Sequence, residues 1–516
     1  MERRHDWRAG SMLGAGRLAA IATLTLLVVR CAPSEPSPPK LAFAIQPTLS
    51  IERVAMAPSV QVVAQDAAGA TMSGFTGAIT VALASGAINA KLSGTLSVAA
   101  HNGIATFFDL GVDRAGAALT LTASAGRTKA TSAAFDVVPF SLVAVSAGGF
   151  PGSTGNAFSC GVSTTGAAFC WGSNANGQLG DGTLKDRAVP VAVAGGLRFA
   201  TVTAGDYFAC GVTAASAAYC WGSNTAGGLG NGTYTDSLTP VAVQGALDFT
   251  ALSAGAGFVC GITTTGAGYC WGLDINGDLG LGTTAGPQQC DNPHFGPAPC
   301  SMIPAAVTGG LTFAVLSSGS GHSCGVSTNG AAFCWGYGVY GQIGNGAGGA
   351  SFSPAPVSGG LSFASISTSG GGNPFGFSCG LTPAGAAWCW GSDSNGQLGN
   401  GLASNSAIPV AVAGGNTFAS LSAGNGFACG ITTTGAAVCW GTNARGQLGT
   451  GTGKDSAIPT PVGGGLSFKA LSTGEGHTCG ITTTGKTYCW GDDSYGELGN
   501  GVYAGSSGVP QAIVAP

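Results

Sequence analysis

Charge is what this sequence has least of. Its 516 residues include 18 Lys and Arg against 22 Asp and Glu, for a formal charge of −4 and a pI near 5.7. There is no basic field with which to neutralise phosphates, so nucleic acid is not expected among the partners. Long apolar runs are also scarce. A membrane-spanning helix needs about 20 apolar residues, and after the first thirty residues no stretch of that length is free of Gly and turn signals. Familiar catalytic patterns are missing as well. Neither an H-E-x-x-H pair, a Ser/His/Asp order nor a phosphate-cradling Gly loop occurs in a convincing context. No catalytic, cofactor or metal residue is therefore assigned.

Glycine is what the chain has in excess, with 92 residues, beside a hydrophobic share of 45%. Such a composition suits many short strands joined by tight turns. At the start, Arg3, Arg4, Arg8 and Arg17 precede or flank a twelve-residue apolar run at 18–29. That pattern predicts a signal peptide over 1–31 and export, leaving the mature protein soluble or lipid-tethered. Cys31 follows, ahead of a Pro/Ser-rich linker at 32–40, an arrangement that resembles a bacterial lipoprotein boundary and makes Cys31 the candidate lipidation site. Arg30 departs from the small residue such signals carry there. The alternative is cleavage a little further on, with Cys31 a leftover thiol.

Cysteine supplies the strongest pattern. Fourteen of the 17 fall into seven C-x9-C pairs: Cys160 with Cys170, Cys210 with Cys220, Cys260 with Cys270, Cys324 with Cys334, Cys379 with Cys389, Cys429 with Cys439 and Cys479 with Cys489. Each pair brackets a segment such as C-G-V-S-T-T-G-A-A-F-C, in which Thr-Thr-Gly reads as a three-residue hairpin loop with Gly in the left-handed region. Centring the turn on Thr165 sets the two cysteines opposite each other, with Cα atoms about 4.5–5.5 Å apart, within disulfide reach. Structural zinc prefers C-x2–4-C spacing and four converging ligands, so disulfides are the expected state, and they require an oxidising compartment. Cys290 and Cys300 form an eighth pair inside an insertion, which they are expected to staple.

The Trp of C-W-G recurs at Trp171, Trp221, Trp271, Trp335, Trp390, Trp440 and Trp490, a period near 50 residues. Each copy reads as four short strands: F-x-x-L-S-A-G, F-x-C-G-I-T-T, A-A-Y-C-W-G and P-V-A-V, with a turn-rich G-Q-L-G-N-G segment before the last. Four strands per copy make one propeller blade. The G-Q-L-G at 177–180, 396–399 and 446–449, each about six residues after W-G, resembles regulator-of-chromosome-condensation repeats. The resemblance covers 140–516 and implies a closed seven-bladed β-propeller. Because Cys and the next Trp alternate across a strand, Cys faces its hairpin partner while Trp packs on a neighbouring sheet.

Residues 41–139 read differently, as alternating runs S-V-Q-V-V-A-Q, A-I-T-V-A-L, G-I-A-T-F-F and A-L-T-L-T-A-S, without Cys or Trp. This module resembles bacterial immunoglobulin-like (Ig-like) β-sandwich domains. Its expected job is to hold the propeller away from the membrane. The fold class is thus all-β, a sandwich followed by a propeller.

Where copies deviate, a repeat scaffold has room for function. Residues 149–156 insert Phe150 and Pro151 into the first copy, and 371–376 insert Pro374 and Phe375 into the fifth, at one shared offset. Residues 283–302 insert His294 and Phe295 with the extra cysteines. These six are the candidate binding-loop residues. Asp274-x-Asn276-x-Asp278 imitates the start of a calcium loop but lacks its Gly and Glu, and reads as a repeat turn. His322 and His477 occupy a position that is Phe in the other five copies and are expected to be partly buried packing residues. Asp492 and Asp493 are expected in a solvated loop. The resulting expectation is a monomeric, non-catalytic extracytoplasmic scaffold binding a protein or glycan at the cell surface, lipid-anchored or secreted. The alternative is a secreted inhibitor, since a secreted propeller of this type resembles bacterial inhibitors of β-lactamase. A polysaccharide-acting enzyme comes third.

Overall fold

Short runs of alternating side chains between Gly-centred turns leave the chain little but strand to form, and the structure contains no helix among the described residues. A computed structural model describes residues 38–84, 89–149, 156–283, 286–292, 296–369 and 376–516. No helix of this part is long and apolar enough to cross a membrane. The signal peptide, Cys31, Phe150, Pro151, His294, Phe295, Pro374 and Phe375 all lie outside the described residues.

From residue 142 the chain forms seven successive blade-like antiparallel sheets, spanning 142–192, 199–242, 249–306, 313–356, 365–411, 418–461 and 468–512. Six are plain meanders of four strands in chain order, and the third carries an added fifth strand. In the first, Leu142–Gly148, Phe158–Ser163, Ala168–Gly172 and Arg187–Ala192 pair in turn. The central hairpin turns through Thr164, Thr165 and Gly166, with the Ser163 amide donating to the Ala167 carbonyl and Gly166 at φ 80°. That places Cys160 opposite Cys170 in register. The last strand of every repeat carries a proline at one shared position, Pro190, Pro240, Pro304, Pro354, Pro409, Pro459 and Pro510, which offers a stray strand no N–H at the sheet edge.

All eight cysteine pairs are bonded as the spacing predicts. In the repeats Cys160 is joined to Cys170, Cys210 to Cys220, Cys260 to Cys270, Cys324 to Cys334, Cys379 to Cys389, Cys429 to Cys439 and Cys479 to Cys489. The two residues of each pair stand directly opposite in register. Their Cα separations of 4.0–4.1 Å correct the 4.5–5.5 Å expected from ordinary strand spacing, because the sulfur bridge draws the hairpin arms together. The eighth pair differs in kind. Gln288–Asn292 is the fifth strand of the third sheet, where Cys290 opposes Ala298 and Cys300 opposes Gln288. The bond from Cys290 to Cys300 therefore runs diagonally, at a Cα separation of 5.8 Å.

Neighbouring sheets meet through one repeated core. The disulfide of one sheet packs with the Trp of the next: Cys160 and Cys170 with Trp221, Cys379 and Cys389 with Trp440, and, between the last sheet and the first, Cys479 and Cys489 with Trp171. Cys210 and Cys220 meet Trp271 in the same way, as Cys260 and Cys270 meet Trp335, Cys324 and Cys334 meet Trp390, and Cys429 and Cys439 meet Trp490. All seven indoles are fully buried. Each donates its Nε1–H to a carbonyl of the preceding sheet, as Trp440 does to Gln397 (2.9 Å) and Trp171 to Glu497 (2.8 Å). The Gly of L-G sits on that indole, and a Cβ on Gly399 would lie 2.6 Å from Trp440 Nε1.

The amino-terminal part is a separate construction. Lys40–Ile45, Val60–Gln65 and Ile104–Phe107 form one sheet, and a second runs through Ser50–Ile51, Phe135–Val138, Gly116–Ala125, Ala78–Ala84 and Ser97–Ala99. One apolar cluster containing Val60, Val62, Ile79, Val81, Phe107, Leu119, Leu121 and Phe135 serves both, so the two sheets form a sandwich.

Candidate functional site

The loops between first and second strands gather at one end of the sheets, where six copies place a Gly and the fifth Ser369, and the loops bond to one another. Gly149 donates to the Gly205 carbonyl, Ala256 to Gly319, Ser320 to Ser369 and Asn425 to Gly474, at 2.9–3.2 Å. The insertions of the first and fifth copies share this offset. Between the bonded loops of the seventh, first and second sheets stands an acidic group that the sequence reading missed.

Asp206 and Glu475, in the loops of the second and seventh sheets, are 3% and 5% exposed. Burial raises the Asp206 carboxyl well above the usual range, and the charge of Glu475 raises it further. Tyr207 is pushed up to about 12 by burial and then by Asp206 and Glu475, while Asn156 pulls it back through a hydrogen bond. Arg445, half-exposed, reaches from the sixth sheet's turn to Glu475 (3.1 Å) and Asp492 (2.8 Å). This end of the molecule thus joins a guanidinium open to solvent to carboxyl groups that are not. The available signal was deviation from the repeat, since Asp206 and Glu475 occupy a loop that holds Ala256, Ser320 or Asn425 in other copies.

Two expectations about single residues need correction. His322 and His477 are not partly buried: they are 1% and 0% exposed, and each bonds across to the next sheet. His322 Nε2 meets Ser378 Oγ at 2.9 Å and His477 Nε2 meets Ser159 Oγ at 2.8 Å. Burial lowers both to about 4, so they are neutral imidazoles at ordinary pH. Asp492 and Asp493 do not lie in a solvated loop. Asp493 is fully buried and accepts from the Leu498 amide (3.1 Å), while Asp492 pairs with Arg445. The turn competes with water for these carboxylates because its own amides point inward.

Asp274 behaves as the repeat turn requires. Its Oδ1 accepts from the Leu279 amide (3.0 Å), as Asn174 Oδ1 accepts from Leu179 (3.0 Å). Burial raises Asp274 to about 6 and, with the charge of Asp274, raises Asp278 well above the usual range. Among the described residues no group of three or more His, Cys, Asp or Glu side chains is placed to hold a metal ion.

This repetition of sheet, seam and turn has known counterparts. The regulator of chromosome condensation (RCC1) repeat matches residues 165–212, 217–262, 384–431 and 435–481, and a second description of that repeat matches 314–342, 418–447 and 468–497. The repeated part of this chain carries segments similar to the RCC1 repeat, and its blade-like sheets share the β-propeller fold. Its fold is shared with yeast RCC1 (Prp20) crystallised with Kap60, at 19% identity and TM-score 0.56, over 67% of this chain and 83% of that one. Human WBSCR16 is similar at 18% identity and TM-score 0.59, over 68% and 94%. Prp20p from Saccharomyces cerevisiae, whose structure was described with its binding to Gsp1p and histones, gives 19% and 0.57 over 68% and 87%. No curated protein matches the chain in sequence. At these identities the RCC1-type structures carry the fold and nothing more.

Proposed function

We propose that this chain is a non-catalytic, extracytoplasmic binding scaffold: a closed seven-bladed RCC1-repeat propeller carried on an Ig-like module and presenting its loop end to a protein partner. The observation that carries the reading is the disulfide in every one of seven sheets. Such a framework is typical of compartments where thiols are oxidised and rare in the cytosol. The signal-like first 31 residues and Cys31 agree with export and with a lipid anchor. Contact of the seventh sheet with the first, through Trp171 and Glu497, supports closure. Closure would hide the sheet edges and leave loops as the variable surface.

A protein partner fits better than nucleic acid, given the charge of −4. RCC1-type neighbours include a protein crystallised with Kap60 and one whose structure was described with binding to Gsp1p and histones. Buried Asp206 and Glu475 beside half-exposed Arg445 mark the loop end as the charged one, where a partner's side chains would find both signs. The test is capture from the cell-envelope fraction with the mature protein, with a variant lacking 150–155 and 370–375, and with Arg445→Ala. Loss of the captured protein in both variants is expected. Equal capture by all three would refute the assignment of the binding face, and capture of polysaccharide alone would refute the protein partner.

A further inference from the structure

The seam between the seventh and first sheets departs from the others in two residues at once. In four copies the Gln of the turn accepts the amide two residues earlier through Oε1: Gln178 from Asn176, Gln342 from Tyr340, Gln397 from Asn395 and Gln447 from Arg445, all at 2.8–2.9 Å. The seventh copy has Glu497. Its Oε2 makes the same bond from the Tyr495 amide (2.8 Å), and Oε1, standing in place of an amide nitrogen, is buried with no hydrogen-bond partner. The same seam replaces the usual Phe by His477. The imidazole bonds Ser159 of the first sheet, while its Nδ1 is buried and unpartnered. Ser159 Oγ also lies 3.4 Å from the Glu497 carbonyl, so both groups border one contact. At the seam of the fifth and sixth sheets, by contrast, Phe377, Ala428 and Gln397 stand in the places of His477, Ser159 and Glu497, and the buried Asp393 there matches Asp493 and so is common to both seams.

We propose that the seventh-to-first seam is a pH-operated latch, held shut while Glu497 carries a proton and His477 does not, and opening ahead of the other seams when either becomes charged. An ion on either group would sit in a dry interface, Glu497 keeping only backbone amide bonds and His477 only Ser159 and the charge of Asp492, whereas separation of the sheets gives it water. The surrounding charges do not relieve this. Asp492 and Asp493, on the seventh sheet, oppose ionisation of Glu497, and only Asp492 favours a charged His477. Arg445 is already shared between Asp492 and Glu475. The first sheet brings Ser159 and Trp171, which do not ionise near neutrality, and residues 150–155 read Phe-Pro-Gly-Ser-Thr-Gly.

Burial raises Glu497 to about 8 and lowers His477 to about 4. For Glu497, opening is favoured as pH climbs from its ordinary 4.5 to about 8. For His477, opening is favoured as pH falls from its ordinary 6.5 to about 4. The two slopes cancel between about 4.5 and 6.5. Above that, opening should grow about tenfold per pH unit until Glu497 titrates in the closed seam.

The test is side-chain N–H exchange in the full disulfide-bonded chain with isotope-labelled tryptophan, following Trp171 at this seam against Trp440, whose seam has the turn Asp in common but neither the His nor the Glu. The ratio of their opening constants should be flat from about pH 4.5 to 6.5 and rise roughly 30-fold by pH 8. Glu497→Gln should abolish that rise and expose an increase toward acid. His477→Phe with Ser159→Ala should instead let the rise begin near pH 4.5. Both variants install residues already used at other seams, so folding is retained. A ratio that stays constant with pH in all three proteins would overturn the latch, as would a rise that survives Glu497→Gln.

Discussion

The sandwich and the propeller are both all-β, yet they are held together by different means. The sandwich has neither Cys nor Trp and relies on one continuous apolar cluster between two sheets. The propeller has no continuous core. Its stability is divided into seams, each a disulfide against an indole, with Gly where any Cβ would strike that indole. A small sheet with few charged and many Gly residues buries little apolar surface, and covalent bridges offset the shortfall. The difference teaches that the two parts should fail under different insults.

The largest expected effect is from reductant. Each hairpin disulfide contributes about 2–3 kcal/mol in the chain-entropy treatment. Calorimetry with excess dithiothreitol should lower the propeller transition by roughly 10 °C or more and leave the sandwich transition in place. A joint shift of both would break the comparison. Next come matched core truncations. Trp440→Ala should cost about 3–5 kcal/mol and Leu121→Ala about 2–5 kcal/mol, each seen in urea unfolding of its own region only.

The third concerns the fourth-to-fifth seam. His322 is lowered to about 4 by burial, so its contribution to stability is intact above its ordinary value of 6.5 and is lost as pH falls toward 4. The loss amounts to about 3 kcal/mol. His322→Phe with Ser378→Ala should remove that part of the acid sensitivity of the propeller melt and leave the sandwich melt as it was. The smallest pair is glycine to alanine. Gly399→Ala drives a methyl into Trp440 and should cost about 1–3 kcal/mol. Gly126→Ala, at φ 59° with open space around it, should cost about 1 kcal/mol from backbone conformation alone.

Much of the propeller was legible because its information is local and repeated. Cys160 and Cys170 are ten residues apart, so a turn centred on Thr165 suffices to pair them, and strand alternation then sends Trp171 to the opposite face. The same turn pairs Cys210 with Cys220, Cys260 with Cys270, Cys324 with Cys334 and Cys429 with Cys439. The Cys290–Cys300 bond was legible from its spacing, but its diagonal course was not, since that hairpin keeps the spacing and shifts the register by two. The acidic loop end was harder still. The charge of Glu475 reaches Asp206 only because the last sheet returns to the first, and the repeat pattern carries no sign of what stands opposite a given loop. His477 was visible as a replacement for Phe, but its partner Ser159 lies 318 positions away. The Asp492–Asp493 pair was misplaced because charge in a turn ordinarily signals solvent, whereas this turn folds its amides inward to receive a carboxylate.

The central claim is an exported ring whose sheets are each closed by sulfur. It is tested most directly by differential alkylation and mass spectrometry of the protein taken from its native envelope or culture fluid without reduction. The account predicts that the fourteen repeat cysteines resist alkylation and appear as seven Cys-x9-Cys bridged peptides. Alkylated thiols at those positions, or cross-sheet pairings, would contradict it.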